Sequence, residues 1–228
     1  MKINLLALDT SSTVSSVALI KESQYHFYSS GSGERQHTQQ ILLQIQTVLS
    51  EANLSLSQLH ALAFTPGPGS FTGIRLAATL AQGLAFGANL PIIAISTLQT
   101  IAQQTYTNQG ATQVAVAINA FAEKIYWGIY QCIAGEMQPL APDILCSPQE
   151  ATLLLHAAQW TGAGNAWDVY AKQLQHLPMQ SVHTDIHADA KSVACLAIKP
   201  CLAGEFLAPT EALPVYLYGA DCWKKTSS

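Results

Sequence analysis

Ile3-Asn4-Leu5-Leu6-Ala7-Leu8-Asp9-Thr10-Ser11-Ser12-Thr13 passes from an apolar run into small polar residues, and Val14 to Ile20 turns apolar again. A short apolar run ending at a carboxylate reads as a buried strand, the Thr/Ser cluster as a turn, and the second run as a paired strand. The same grammar returns in the second half. Val114 to Ile118 is apolar, Asn119 ends it, small residues follow, and Ile125 to Ile133 reads as another strand. The repetition predicts two similar α/β units, residues 1–108 and 109–228, divided near Asn108-Gln109-Gly110.

Working outward, Tyr25 to Tyr28 reads as a third strand. Thr38 to Ala52 is a helix by its 3.6-residue period, with Ile41, Leu42, Ile45, Val48 and Leu49 on one face. Leu59–Phe64 and Pro91–Ile95 read as strands on either side of a helix over Gly73–Ala88. Ser96 and Gln99 form a capping box that opens the next helix. Ser147-Pro148-Gln149-Glu150 predicts a further helix start. Trp160–Gly162 reads as a strand end, and Trp167–His176 and Ser192–Leu202 as helices.

Composition narrows the classes. Of 228 residues, 49% are hydrophobic and only 11% charged, with a mean hydropathy of +0.20. Disorder is excluded, because it needs low hydrophobicity and high charge. From Ala52 to Ala122 the sole formal charge is Arg75, where an ordinary composition places roughly 18. Pro66, Pro68, Gly69, Gly73, Asn89 and Pro91 interrupt that stretch, so it is no membrane span. A net charge of −4, with Lys224-Lys225 the only basic cluster, leaves no footprint for autonomous nucleic-acid binding. Five cysteines without CxxC spacing read as reduced thiols. The N-terminus lacks a signal-peptide pattern, so the cytoplasm is the expected compartment.

Several motifs have two readings. Asp9-Thr10-Ser11, at a strand end, suits a magnesium-bound phosphate or a plain turn. Thr65-Pro66-Gly67-Pro68-Gly69-Ser70-Phe71-Thr72-Gly73 links a buried strand to a helix N-terminus. That arrangement suits an anion or a close crossover, and it is neither the dinucleotide fingerprint nor a P-loop. The helix behind it is rich in Ala and Gly, and its only polar residues are Arg75, Thr79 and Gln82. A surface helix needs a polar face, so this one is expected to meet a partner, with Arg75 as an interface anchor. His183 and His187, with Asp185 and Asp189 nearby, make the best metal-like cluster but lack a distant third ligand. No metal or cofactor is therefore expected.

Leu6-Ala7-Leu8-Asp9-Thr10-Ser11 and Pro66-Gly67-Pro68-Gly69-Ser70-Phe71-Thr72-Gly73-Ile74-Arg75 resemble the bacterial TsaB (YeaZ) family, which takes part in threonylcarbamoyladenosine synthesis in tRNA. The likeness continues through Arg35-Gln36-His37-Thr38-Gln39, Gly83-Leu84-Ala85, Ile125-Tyr126-Trp127 and Pro214-Val215-Tyr216-Leu217. It implies two actin-like, ribonuclease H-like α/β domains, each a mixed sheet with flanking helices.

The function implied is a non-catalytic scaffold for TsaD, the subunit that transfers the threonylcarbamoyl group, working with the ATPase TsaE and reaching tRNA through the complex. A homodimer is the implied alternative when the chain is isolated. Where TsaD carries two metal-binding histidines, this chain has Thr97 and Ile101. Asp9, Thr10, Ser11, Gly67, Gly69, Gly162 and Gly164 are then relics of phosphate loops. Asn119-Ala120-Phe121 and Lys124 depart from the family's second motif. The implied partner face comprises His37, Ile41, Ile45 and Val48 on the first helix, and Arg75, Leu76, Thr79, Leu80 and Gly83 on the second. The rival reading is an ATP-dependent phosphotransferase of the actin and sugar-kinase class using Asp9. A metalloprotease using His183 and His187 is a more distant rival.

Overall fold

The computed structural model describes residues 2–22, 24–32, 37–153 and 159–217. The opening run forms β1 (Leu5–Asp9), which pairs antiparallel with β2 (Val14–Lys21), and β2 pairs antiparallel with β3 (Gln24–Ser32). Helix α1 (His37–Glu51) leads through a short 3-10 turn to β4 (Ala61–Phe64), then to α2 (Phe71–Ala88), β5 (Ile92–Ala94) and α3 (Thr97–Gln109). This is the order that the periodicities predict. The first sheet runs β3-β2-β1-β4-β5, with β4 parallel to both β1 and β5.

The second half follows a similar plan with one further strand. β6 (Gln113–Asn119), β7 (Ile125–Ile133) and β8 (Glu136–Pro139) form an antiparallel meander, and β9 (Ile144–Cys146) adds to the free part of β7. β10 (Trp160–Ala163) and β11 (Met179–His183) continue in parallel from β6, giving the order β8-β7-β6-β10-β11. The sense and order of these five strands match those of the first sheet.

Two predicted helices are corrected. The capping box at Ser147 does form, with Glu150 Oε2 accepting from Ser147 N and Ser147 Oγ, each at 2.8 Å. It closes a single 3-10 turn, because Ala151 is extended and Ala151 and Leu153 are buried on alternate positions, a strand-like period. The predicted 167–176 helix is two short ones, α4 (Ala166–Val169) and α5 (Ala171–Leu174), broken at Tyr170. Ser96 caps α3 through Leu98 N and Gln99 N, but Gln99 bonds Met137 O instead of completing the box.

Burial on both faces, read at the strand's period of two, explains why β1 is apolar from Leu5 to Leu8. Leu6 and Leu8 face a core with α1 and α2, while Leu5 and Ala7 face Ala190, Val193, Ala194 and Ala197 of α6 (Ala190–Ala203). The helices are exchanged between the halves. α3 follows β5 yet packs on β6, β7 and β8, whereas α6, the last helix, covers the first sheet. Among the described residues, Cys132, Cys146, Cys195 and Cys201 are not joined in disulfides. Cys222 and Lys224-Lys225 lie outside the described residues.

Candidate functional site

A cleft of about 1420 Å³ opens between the two sheets, lined by the Thr10–Thr13 turn, the start of α2, the ends of β6 and β10, and residues 186–188 and 215–217. Arg75 is the only formal charge among the described residues lining it. Asp9 ends β1 just beneath, with no exposed surface. Its Oδ1 accepts from Ser11 N at 3.2 Å, Ser11 Oγ at 2.7 Å and Thr65 Oγ1, while Oδ2 has no partner. Burial pushes the Asp9 carboxyl above its ordinary value against the pull of these hydrogen bonds. Metal–phosphate chemistry needs a carboxylate oxygen open to the ligand. Among the described residues the phosphotransferase reading therefore finds no open carboxylate at this cleft.

The glycine loop is occupied by the chain itself. Thr10 Oγ1 donates to Gly73 O at 2.7 Å, and Ser70 N donates to Ser11 O at 2.8 Å. A Cβ on Gly69 would lie 2.5 Å from Ser11 O, and one on Gly73 only 1.9 Å from Thr10 O. Gly67, at φ +131°, presses against the segment after α6, where its Cβ would meet Val215 O at 2.7 Å. These glycines allow close backbone crossing, the second of the two readings. In the other half, a Cβ on Gly162 would lie 2.8 Å from the Trp167 ring. Gly164, at φ +101°, abuts Ala117 O, and Asn165 Oδ1 accepts from Asn119 N at 2.9 Å.

Thr97 and Ile101 stand one turn apart on α3, both buried and both at the cleft wall. His183 ends β11, and the segment after it is no helix, so His183 and His187 do not share the helix face expected of them. Asp189 caps α6 through Ser192 N at 2.8 Å. Among the described residues, no group of three His, Cys, Asp or Glu side chains is placed to hold a metal. Sequence reading missed a part-buried knot in which Tyr130 Oη and Ser96 Oγ both donate to Asp143. Burial raises the Tyr130 and Asp143 pKa values, and the knot ties β7 to the start of α3.

The expected partner face divides in two. Ile41, Ile45 and Val48 are corrected: they are core residues packed on the first sheet, because an apolar stripe at helical period faces the sheet. The outward side of α1 carries Leu43, 61% exposed. The His37 side chain and Arg35-Gln36 lie outside the described residues. On α2, Arg75, Thr79 and Gly83 are exposed, Leu76 and Leu80 half-buried, and Phe86 is 82% exposed. A Cβ on Gly83 or Gly87 would meet nothing within 4 Å. Among the described residues Arg75 forms no ion pair. Its Nε donates to Tyr216 Oη at 2.7 Å and its Cζ lies 3.5 Å from the Phe71 ring centroid.

The family model described as TsaD, tRNA N6-adenosine threonylcarbamoyltransferase, matches residues 30–204. The tRNA threonylcarbamoyladenosine biosynthesis protein TsaB of Escherichia coli (strain K12) is 34% identical over 232 residues, covering 97% of both chains. The chain belongs to the TsaB family. The solved YeaZ of Pseudomonas aeruginosa superposes with a TM-score of 0.90 at 37% identity, covering 94% of this chain and all of that one. The α/β fold of mixed sheets with flanking helices is thus the family's own, and its setting is tRNA threonylcarbamoyladenosine biosynthesis. A TsaD of Anoxybacillus flavithermus is 35% identical over 75 residues, covering 33% of this chain and 21% of its own. No helix among the described residues is long and apolar enough to cross a membrane.

Proposed function

We propose that this chain is a non-catalytic subunit that docks the outer faces of α2 and α1 onto TsaD and supports threonylcarbamoylation of adenosine next to the tRNA anticodon. TsaE joins the same assembly, and tRNA is reached through it. In isolation the same face pairs two copies of the chain. The observation carrying this reading is the outer face of α2, uncharged apart from Arg75, with Phe86 standing free and two glycines over which no neighbour closes. Open glycines in a helix cost about 0.5–1 kcal/mol each relative to alanine and gain nothing inside this chain. They suit a second helix approaching closely. The buried Asp9 and the Thr97/Ile101 pair at the cleft wall also favour a supporting role over chemistry.

Reconstitution with TsaD, TsaE, the threonylcarbamoyl donor and tRNA tests the proposal. Modified adenosine should form with this chain present and fall at least about tenfold without it. Thr79→Arg, which sets a long cation in the centre of the face, should abolish co-elution with TsaD while leaving the melting temperature within a few degrees. Equal synthesis with and without the chain would overturn the proposal.

A further inference from the structure

The chain leaving α6 does not simply end. Leu207 bridges Ile92 at the edge of β5, with N–H···O distances of 3.0 and 2.8 Å. Ala212, fully buried, accepts at its carbonyl from Gln82 Nε2 of α2 at 3.1 Å. Val215 N donates to Pro66 O at 2.9 Å, in the position that only a glycine at residue 67 permits. Residues 205–217 thus form a strap tied to the first sheet, to α2 and to the glycine loop. Along this strap Tyr216 comes against Arg75.

There the guanidinium is fixed on two sides. Phe71 offers its ring face, Tyr216 accepts from Nε, and the two rings lie 6.1 Å apart at 42°. Among the described residues no carboxylate lies within 4 Å of Arg75. A guanidinium has five N–H donors. With Nε engaged, the terminal nitrogens, which have no hydrogen-bond partner among the described residues, form a planar fork suited to two oxygens of one oxyanion. We propose that Tyr216, delivered by the strap, is a positioning residue that presents Arg75 to a carboxylate of the protein docking on α2.

This inference rests on the docking reading and adds its polar anchor. A protein carboxylate fits better than an RNA phosphate. The surrounding surface is apolar and Arg75 is its single cation, whereas nucleic acid demands several cations together. Immobilising the side chain beforehand removes part of the ordering cost of binding.

The test is a double-mutant cycle read as the dissociation constant for purified TsaD. Arg75→Ala should weaken binding about 30-fold, and Tyr216→Phe, which keeps the ring but loses the acceptor, about fivefold. In the Arg75→Ala background, Tyr216→Phe should change nothing further, because its effect passes through the guanidinium. A merely structural tyrosine would give the same fivefold loss in both backgrounds, and that result overturns the inference. So does an Arg75→Ala variant that binds TsaD normally, or one that loses affinity for tRNA alone. Failure of the unaltered chain to bind TsaD would instead sink the docking reading itself.

Discussion

Asp9 concentrates the conflict between what a residue type suggests and what its surroundings permit. A carboxylate at the end of a strand invites a functional reading, yet here one oxygen accepts three hydrogen bonds and the other accepts none. Burial raises its pKa, so the folded state holds the proton to higher pH than the unfolded chain does. The linkage follows in sign. The stability this group contributes is fully present below the ordinary value near 3.8 and is lost as pH rises through the raised folded value. Asp9→Asn keeps an acceptor at Oδ1 and cannot ionise. Its stability relative to the unaltered chain should therefore improve as pH rises from 4 to 7. Denaturant melts of both proteins across that range would measure the difference, and a gap that does not change with pH would contradict the assignment.

At the scale of the element, α2 carries opposing demands. Its buried alanines, Ala77, Ala78, Ala81 and Ala85, let the helix lie close on the first sheet, while Gly83 and Gly87 sit outside with nothing over them. Gly83→Ala should stabilise the isolated chain by about 0.5–1 kcal/mol, since alanine restricts the unfolded chain and gains helix propensity. The same methyl should weaken TsaD binding or self-association, because it fills the space a second helix would enter. Calorimetric melting and sedimentation of the one variant read both effects, and tighter association would count against α2 as the contact.

The two helices also explain what the sequence made legible. Periodicity located α1 and α2 correctly, but on α1 the apolar stripe Ile41, Ile45, Val48 marks the side that faces the sheet. A partner face is the complement of such a stripe. On α2 the proposed partner face is the outward complement of the buried alanines, and Arg75 is its one formal charge. The strap carried a weaker signal. Its extended stretch has no period, and Tyr216 meets Arg75 across 141 residues of sequence. The short strands β8, β9 and β11 went unread because three to five residues, partly exposed, carry too little alternation to register.

For the whole molecule, the exchange of α3 and α6 decides how the halves depend on each other. The first sheet has two apolar faces, and one of them, with Ile3, Leu5, Ala7, Ala18, Ile20, Ala61 and Ala63, is covered by a helix that arrives only at residue 190. The Ala190 backbone N–H even donates to Ser16 Oγ of β2 at 2.9 Å. A fragment of residues 1–110 would bare that face and also carry α3 without the second sheet it packs on. It should therefore behave as a collapsed state that binds hydrophobic dyes and lacks a cooperative melt. The full chain should unfold in one transition, because separating the halves costs each of them a helix. Supplying residues 186–217 as a peptide should restore a melting transition only in part, since α3 would still lack its sheet. Scanning calorimetry of the chain, the fragment and the fragment with peptide tests this directly. Two resolved transitions in the full chain would show that the halves fold independently despite the exchange.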